Sequence, residues 1–202
     1  MAGRFISFEG IDGSGKSTQA RRLAETLRAA GHDVVLTREP GGSPGAEDIR
    51  RLVLEGATDR WSAETEILLF TAARRDHLEK TITPALDRGA TVITDRFADS
   101  TRIFQGITRG DLTATVDQLH QLMIGREPDL TLLIDIDPAE GLRRATARAG
   151  TEMRFEDMGL AFQTKARAGF LALAARHDRF RVIDGAREQD AVAADVLRAL
   201  GA

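Results

Sequence analysis

Cysteine, asparagine and tyrosine are all absent from the 202 residues. Without cysteine there can be no disulfide, thiolate zinc site or thiol nucleophile, and the chain suits a reducing cytoplasm, where it is expected to act. Without asparagine there is no N-K-x-D element of the kind guanine-specific switches need. No apolar run approaches 18 residues, and the opening MAGRFISFEG has no apolar signal stretch, so neither membrane insertion nor export is expected. Basic charge is not in excess either: 28 Lys and Arg against 31 Asp and Glu leave a net charge of -3, which argues against a nucleic-acid partner. Lysine itself is scarce, with only Lys16, Lys80 and Lys165, so each position calls for its own explanation.

What remains is ordinary globular material, 42% hydrophobic and 29% charged. A chain of this length buries roughly 70% of its unfolded surface and can fold as a single domain over 1–202. Short β-rich runs alternate with amphipathic stretches. Strands are expected at Arg4–Phe8, Asp33–Thr37, Ala90–Thr94, Leu130–Asp135 and Phe180–Ile183. Helices are expected at Lys16–Ala30 (Leu23 and Leu27 on one face), Glu64–Arg88 with a break near Thr83-Pro84, Leu112–Gly125, Pro138–Ala149 and Gly159–Arg176, with one more after the last strand. Five such strands separated by helices predict an α/β, three-layer fold with a parallel sheet covered on both faces.

The first strand runs straight into Gly10-Ile11-Asp12-Gly13-Ser14-Gly15-Lys16-Ser17-Thr18, which fits G-x-x-x-x-G-K-[ST] between strand and helix. Glycines let the backbone turn its N–H groups inward around phosphates, and the helix N-terminus adds partial positive charge. Lys16 can then reach the β- and γ-phosphates, and the Ser17 hydroxyl can bind Mg2+. The metal also needs a carboxylate from the carboxyl end of a neighbouring strand. Asp95, followed by Arg96, suits this better than Asp135, because an adjacent Arg can bridge donor and acceptor phosphates. Asp135 and Asp137 are expected to cap the helix that Pro138 opens. Asp12 is harder to place: an anion among phosphates should face a sugar hydroxyl or lie in solvent.

GIDGSGKST, Arg38-Glu39-Pro40-Gly41-Gly42, Phe70-Thr71-Ala72-Ala73-Arg74, Asp95-Arg96-Phe97 and the Arg-rich stretch ending Arg154-Phe155-Glu156 closely resemble the thymidylate kinase family in order and spacing. The resemblance covers essentially the whole chain. It implies a P-loop NTPase fold that moves the γ-phosphoryl of ATP to dTMP with Mg2+, giving dTDP and ADP for dTTP and DNA synthesis, commonly as a homodimer. It further implies that Arg38 and Arg96 hold the acceptor phosphate, Phe70 stacks on thymine and Arg74 donates to its O4. Ser100, Thr101, Phe104 and Gln105 would fall along the substrate, and Asp12 near the sugar 3′-hydroxyl. Guanidinium pairs suit phosphate, and an N–H donor suits O4 of thymine or uracil but meets the amino group of cytosine. Read without the family, Phe70 and Arg74 equally fit a core aromatic and a solvated face.

No basic residue stands among Asp12, Gly13 and Ser14, so the resemblance places the catalytic Arg in a lid over about 143–157, at Arg154 or Arg148. Phe97, Phe104 and Phe155 stand where relatives often carry Tyr; exclusion of a ribose 2′-hydroxyl would then rest on the bulk of Phe104. Trp61 and the four histidines match no catalytic role and are expected to pack or lie at the surface. A kinase of another acceptor, a nucleotide-dependent switch and a nucleic-acid-dependent ATPase are the competing readings.

Overall fold

The computed structural model describes residues 3–57, 59–147 and 158–201. Arg148, Gly150, Arg154 and Phe155, with most of the expected lid, lie outside them. Five parallel strands form one sheet: β1 (Phe5–Glu9), β2 (Val34–Arg38), β3 (Thr91–Asp95), β4 (Leu130–Asp135) and β5 (Phe180–Asp184), in the order β2-β3-β1-β4-β5. The near-continuous apolar runs of β1, β3 and β4 belong to a sheet buried on both faces, as Phe5, Ile6, Val92, Ile93, Leu132 and Ile134 are. The expected α/β class, parallel sheet and number of strands are what the chain adopts.

Four strands, ending at Glu9, Arg38, Asp95 and Asp184, extend one residue beyond expectation, and the ends of β1 and β3 bear on the site. Glu9 and Asp95 are acidic and read as loop, yet both sit in the ladder, Glu9 opposite Leu133 and Asp95 opposite Phe8 and Arg38. Because the ligand crevice of an open parallel sheet lies beyond the carboxyl ends of its strands, the extension carries both carboxylates to its floor.

Helix α1 (Lys16–Ala29) lays Ala20, Leu23 and Ala24 against β1, β2 and β3, with Leu27 at the margin, and α9 (Gln189–Leu200) adds Val192 and Val196 to the same core. On the other face α3 (Ala63–His77) runs through a π-helical turn, Leu78–Ile82, into α4 (Thr83–Asp87). The expected break at Pro84 is therefore a widened turn: proline has no N–H to give, and the helix continues with altered spacing.

Helix α2 (Pro44–Leu54) is an element that the sequence pattern does not announce. Its first turn is closed from α3, where Asp76 accepts from Ser43 Oγ at 2.6 Å and Ala46 N at 3.2 Å. Equally unannounced is the short α5 (Ala98–Thr101) passing into a second π-helical segment, Arg102–Ile107. Beyond it come α6 (Thr113–Met123), α7 (Pro138–Thr146) and α8 (Gly159–Ala174). Asp137 caps α7 as expected, accepting from Ala139 N and Glu140 N. Asp135 does not: it forms a two-pronged ion pair with Arg167 of α8, at 2.7 and 2.8 Å.

Candidate active site

The carboxyl ends of β1, β2 and β3 open on a cavity of about 250 Å3. Its floor is the glycine loop. Gly15 adopts φ 93°, in the left-handed region that glycine tolerates, and among the described residues no side chain caps α1, so the first amides of the helix stay available to an anion. Gly13 has a steric reason as well: a Cβ there would lie 2.0 Å from Gly141 O, and one at Gly141 would lie 2.7 Å from Asp12 O. The loop and α7 thus touch backbone to backbone. Ile11 packs into the core with Ile103 and Phe104, while Gly10 bends the chain at φ 141°.

Lys16 is buried, with Nζ 3.1 Å from Ile11 O. Burial, reinforced by Arg96, pulls its pKa down to about 8, against the attraction of Asp95, Asp12 and Glu9. The Ser17 hydroxyl donates to Asp95 Oδ2, and the other oxygen, Oδ1, is buried with no partner among the described residues. Leaving a carboxylate oxygen dry and unpaired is costly. A hydroxyl beside a carboxylate is also the hard-oxygen set that Mg2+ takes along with phosphates. The residues present therefore fit the metal. Thr18 lies one residue along, half-buried in the first turn of α1.

Arg96 is, among the described residues, the non-glycine residue with positive φ, at 72°. That conformation costs roughly 1–2 kcal/mol. Its amide bonds Phe8 O at 2.9 Å and its carbonyl accepts from Thr94 Oγ1 at 2.8 Å, which hold it there. The guanidinium spans Gly10 O, Ser100 Oγ and Asp12 Oδ1 and lies 4.8 Å above the ring of Phe104. Asp12 is thus neither solvated nor alone: it pairs with Arg96 at 2.6 Å and accepts from Gln163 at 2.9 Å.

On the far wall Phe70 is half-buried against the cavity rather than in the core. Arg74 is 4% exposed. Its Nε donates to Glu39 at 2.7 Å, and its Nη2 donates to Phe97 O and Thr101 Oγ1 at 3.2 and 3.0 Å. These bonds leave Nη1 with no hydrogen-bond acceptor among the described residues, and the residue lines the cavity. Arg38, at the mouth, is engaged by Glu47 at 3.1 Å. Gln105 donates to the buried Glu66, which Arg109 also holds. Phe104 stacks on Phe162 with ring centroids 5.7 Å apart.

Sequence reasoning overlooks several residues of this cavity and its floor, among them Glu39, Arg50 and Glu9. Glu9 lies under Arg96, accepting from Phe97 N at 2.7 Å and Ser100 Oγ at 2.6 Å. Burial, with Asp99 nearby, pushes its carboxyl up to about 7, although Ser100, Arg96 and the Phe97 amide pull the other way. The signal is the acid that ends an otherwise apolar strand. In the lid stretch, Arg143 and Arg144 are both drawn to Glu140 at 2.7 Å, and Arg144 also donates to Gly185 O at 3.4 Å.

A glycine loop between β1 and α1 and an acid-arginine pair at the end of the neighbouring strand, facing a cavity whose far wall carries Phe70 and Arg74, are the arrangement of a P-loop kinase of the nucleoside-monophosphate class. Comparison with known proteins narrows the class. The thymidylate kinase family model matches residues 8–196. The chain is 74% identical over 195 residues to a thymidylate kinase of Ruegeria pomeroyi, covering 96% of this chain and 92% of that one. It is 71% identical over 196 residues to one of Dinoroseobacter shibae, covering 96% and 95%. A crystal structure of thymidylate kinase from Ehrlichia chaffeensis superposes with a TM-score of 0.82 at 36% identity, covering 99% and 100%. The chain belongs to the thymidylate kinase family.

Proposed function

We propose that the chain transfers the γ-phosphoryl of ATP to dTMP in the cytoplasm, as one domain whose lid spans about 143–157. The observation that carries this reading is Arg74. Its Nε and Nη2 bind Glu39, Phe97 O and Thr101, which fixes the plane of the guanidinium and leaves Nη1 as the donor this cavity-lining residue can offer a base. A fixed N–H donor there suits O4 of thymine and opposes the amino group of cytosine, while Phe70 offers a face on which the ring stacks. Phe104 stands where bulk would exclude a ribose 2′-hydroxyl.

At the other end of the acceptor, Arg96 and Arg38 bind its phosphate, with Ser100, Thr101 and Gln105 along the nucleoside and Asp12 toward the 3′-hydroxyl. Glycine-loop amides and Lys16 hold the donor phosphates. Mg2+ would be held by Ser17 and Asp95, neutralising phosphate charge as it shifts. Arg148 and Arg154, outside the described residues, are assigned from sequence to that same developing charge. There is little covalent work for the protein in such a transfer; it positions two nucleotides in line and stabilises charge.

An ADP-release assay with ATP, Mg2+ and a panel of dTMP, dUMP, dCMP, dGMP, dAMP, UMP and thymidine tests the reading. Fastest turnover is expected on dTMP, with dUMP second, since a methyl group is worth only about 1–3 kcal/mol of discrimination. Arg74→Lys should erode the preference for dTMP over dCMP by about tenfold or more, because one ammonium cannot keep both the inner contacts and the outward donor. Turnover fastest on another monophosphate would overturn the base assignment, and none on any acceptor the kinase itself.

A homodimer is the assembly we read from an exposed apolar face. Leu68 on α3 and Leu122 and Met123 on α6 are 59%, 78% and 43% exposed, and Arg75 ties the two helices together through Met123 O. Side chains of this kind favour a homodimer across α3 and α6. Sedimentation should give twice the chain mass, and Leu122→Glu should give the monomer; a wild-type monomer at micromolar concentration would refute the arrangement.

A further inference from the structure

His77 closes α3, is fully buried and is not among the residues that line the cavity described above. A lone buried histidine is usually packing. This one has both ring nitrogens in hydrogen bonds, and the bonds lead to the base-reading wall. Nδ1 is 3.0 Å from Glu39 Oε1, and the other oxygen of the same carboxylate receives Arg74 Nε at 2.7 Å. A carboxylate can only accept, so Nδ1 carries a proton. Nε2 is 2.7 Å from Thr37 Oγ1 on β2. In the neutral ring it accepts from that hydroxyl.

The loop closes tightly over this contact. Gly42 has φ 87°, and a Cβ on it would come within 2.4 Å of both His77 Nε2 and Thr37 Oγ1. The second glycine of R-E-P-G-G is thus needed where the loop crosses the imidazole. On the same helix Asp76 closes the first turn of α2, so neighbouring residues of α3 secure both ends of the loop that carries Glu39.

Resting on the assignment of Arg74 to the pyrimidine, we infer that His77 is a positioning residue for acceptor-base recognition. By holding one oxygen of Glu39 it fixes the other against Arg74 Nε, and so sets the direction in which Nη1 meets the base. Glu39 has two oxygens and two demanding partners; without the imidazole its carboxyl group is free to rotate about its last bond. The guanidinium would then keep only the Nη2 contacts with Phe97 O and Thr101 Oγ1, and its Nε end would lose its fixed direction.

Asparagine and glutamine substitutions separate this role from packing. In His77→Asn the new amide would stand where Nδ1 was and keep the bond to Glu39, whereas in His77→Gln the longer side chain reaches the Nε2 position and keeps only Thr37. His77→Gln should raise the KM for dTMP about tenfold and shrink the preference over dCMP to match, with the KM for ATP unchanged, as expected when a hydrogen bond to a charged group is lost. His77→Asn should restore the dTMP KM to within about threefold of wild type. Equal behaviour of the two variants, or an equal rise in the KM for ATP, would overturn the inference. Melting curves identify any variant that fails to fold. If His77→Gln does, Glu39→Gln asks the same question from the other end of the contact and should give the same dTMP-specific rise. Arg74→Lys keeps the two readings apart. If it alters base preference while His77→Gln and Glu39→Gln do not, only the positioning role fails; if it alters nothing, both fail.

Discussion

Arg96→Gly should lower kcat by about 10³-fold or more, comparable to loss of an arginine that stabilises the transferred phosphoryl group. Glycine is chosen because φ 72° suits it. The backbone then keeps its bonds to Phe8 and Thr94, and only the guanidinium is removed. Relief of the left-handed strain offsets the lost pairing with Asp12, so melting should change little. Arg96→Lys should recover little activity: an ammonium cannot span Gly10 O, Ser100 and Asp12 in one plane. Single-turnover rates with both nucleotides saturating check the prediction, and a Gly variant within tenfold of wild type would remove Arg96 from the chemistry.

Lys16→Met should produce an enzyme that is slower yet harder to melt. Removing a charge preorganised for the phosphates costs about 10²–10³-fold in kcat. The same charge is expensive to keep out of water, since burial brings the pKa from 10.5 to about 8, a penalty of roughly 3 kcal/mol. The unfolded chain holds this proton up to about pH 10.5 and the folded one only to about 8, so the penalty is complete below pH 8 and fades as pH rises between the two values. At pH 7 the variant should gain about 1–3 kcal/mol, or roughly 3–10 °C in Tm. That gain should vanish toward pH 10.5. Calorimetric melting across this range decides it, and a variant no more stable than wild type at neutral pH would contradict the burial argument.

How far the sequence carries differs from one part of the molecule to another. The sheet is legible because its central strands β1, β3 and β4 are largely apolar runs buried on both faces, and the glycine loop because its spacing leaves few alternatives. Helix α2 is not, since its first turn is closed by Asp76, 33 residues from Ser43, and no local pattern announces a remote cap. The π-helical turns escape because a change in hydrogen-bond offset leaves hydrophobic spacing nearly intact. Glu9, Glu39 and His77 are passed over for a common reason. Each is a polar residue whose partner is distant in the chain, Glu9 reaching Ser100 and His77 reaching Glu39, and only the fold reveals that the partner is there. Arg74 is recognised from its motif, but the contacts that aim it are not.

The backbone contact between Gly13 and Gly141 also constrains descent. Alanine is the smallest step away from either residue, and at Gly13 its methyl would stand 2.0 Å from a carbonyl that belongs to a helix core. Nor does a second change elsewhere open an easy route, because what must give way is main chain rather than the tip of a side chain. A lineage can vary the surface of α7 freely and still be unable to exchange either glycine alone. Two positions 128 residues apart in sequence would therefore be inherited as though they were one.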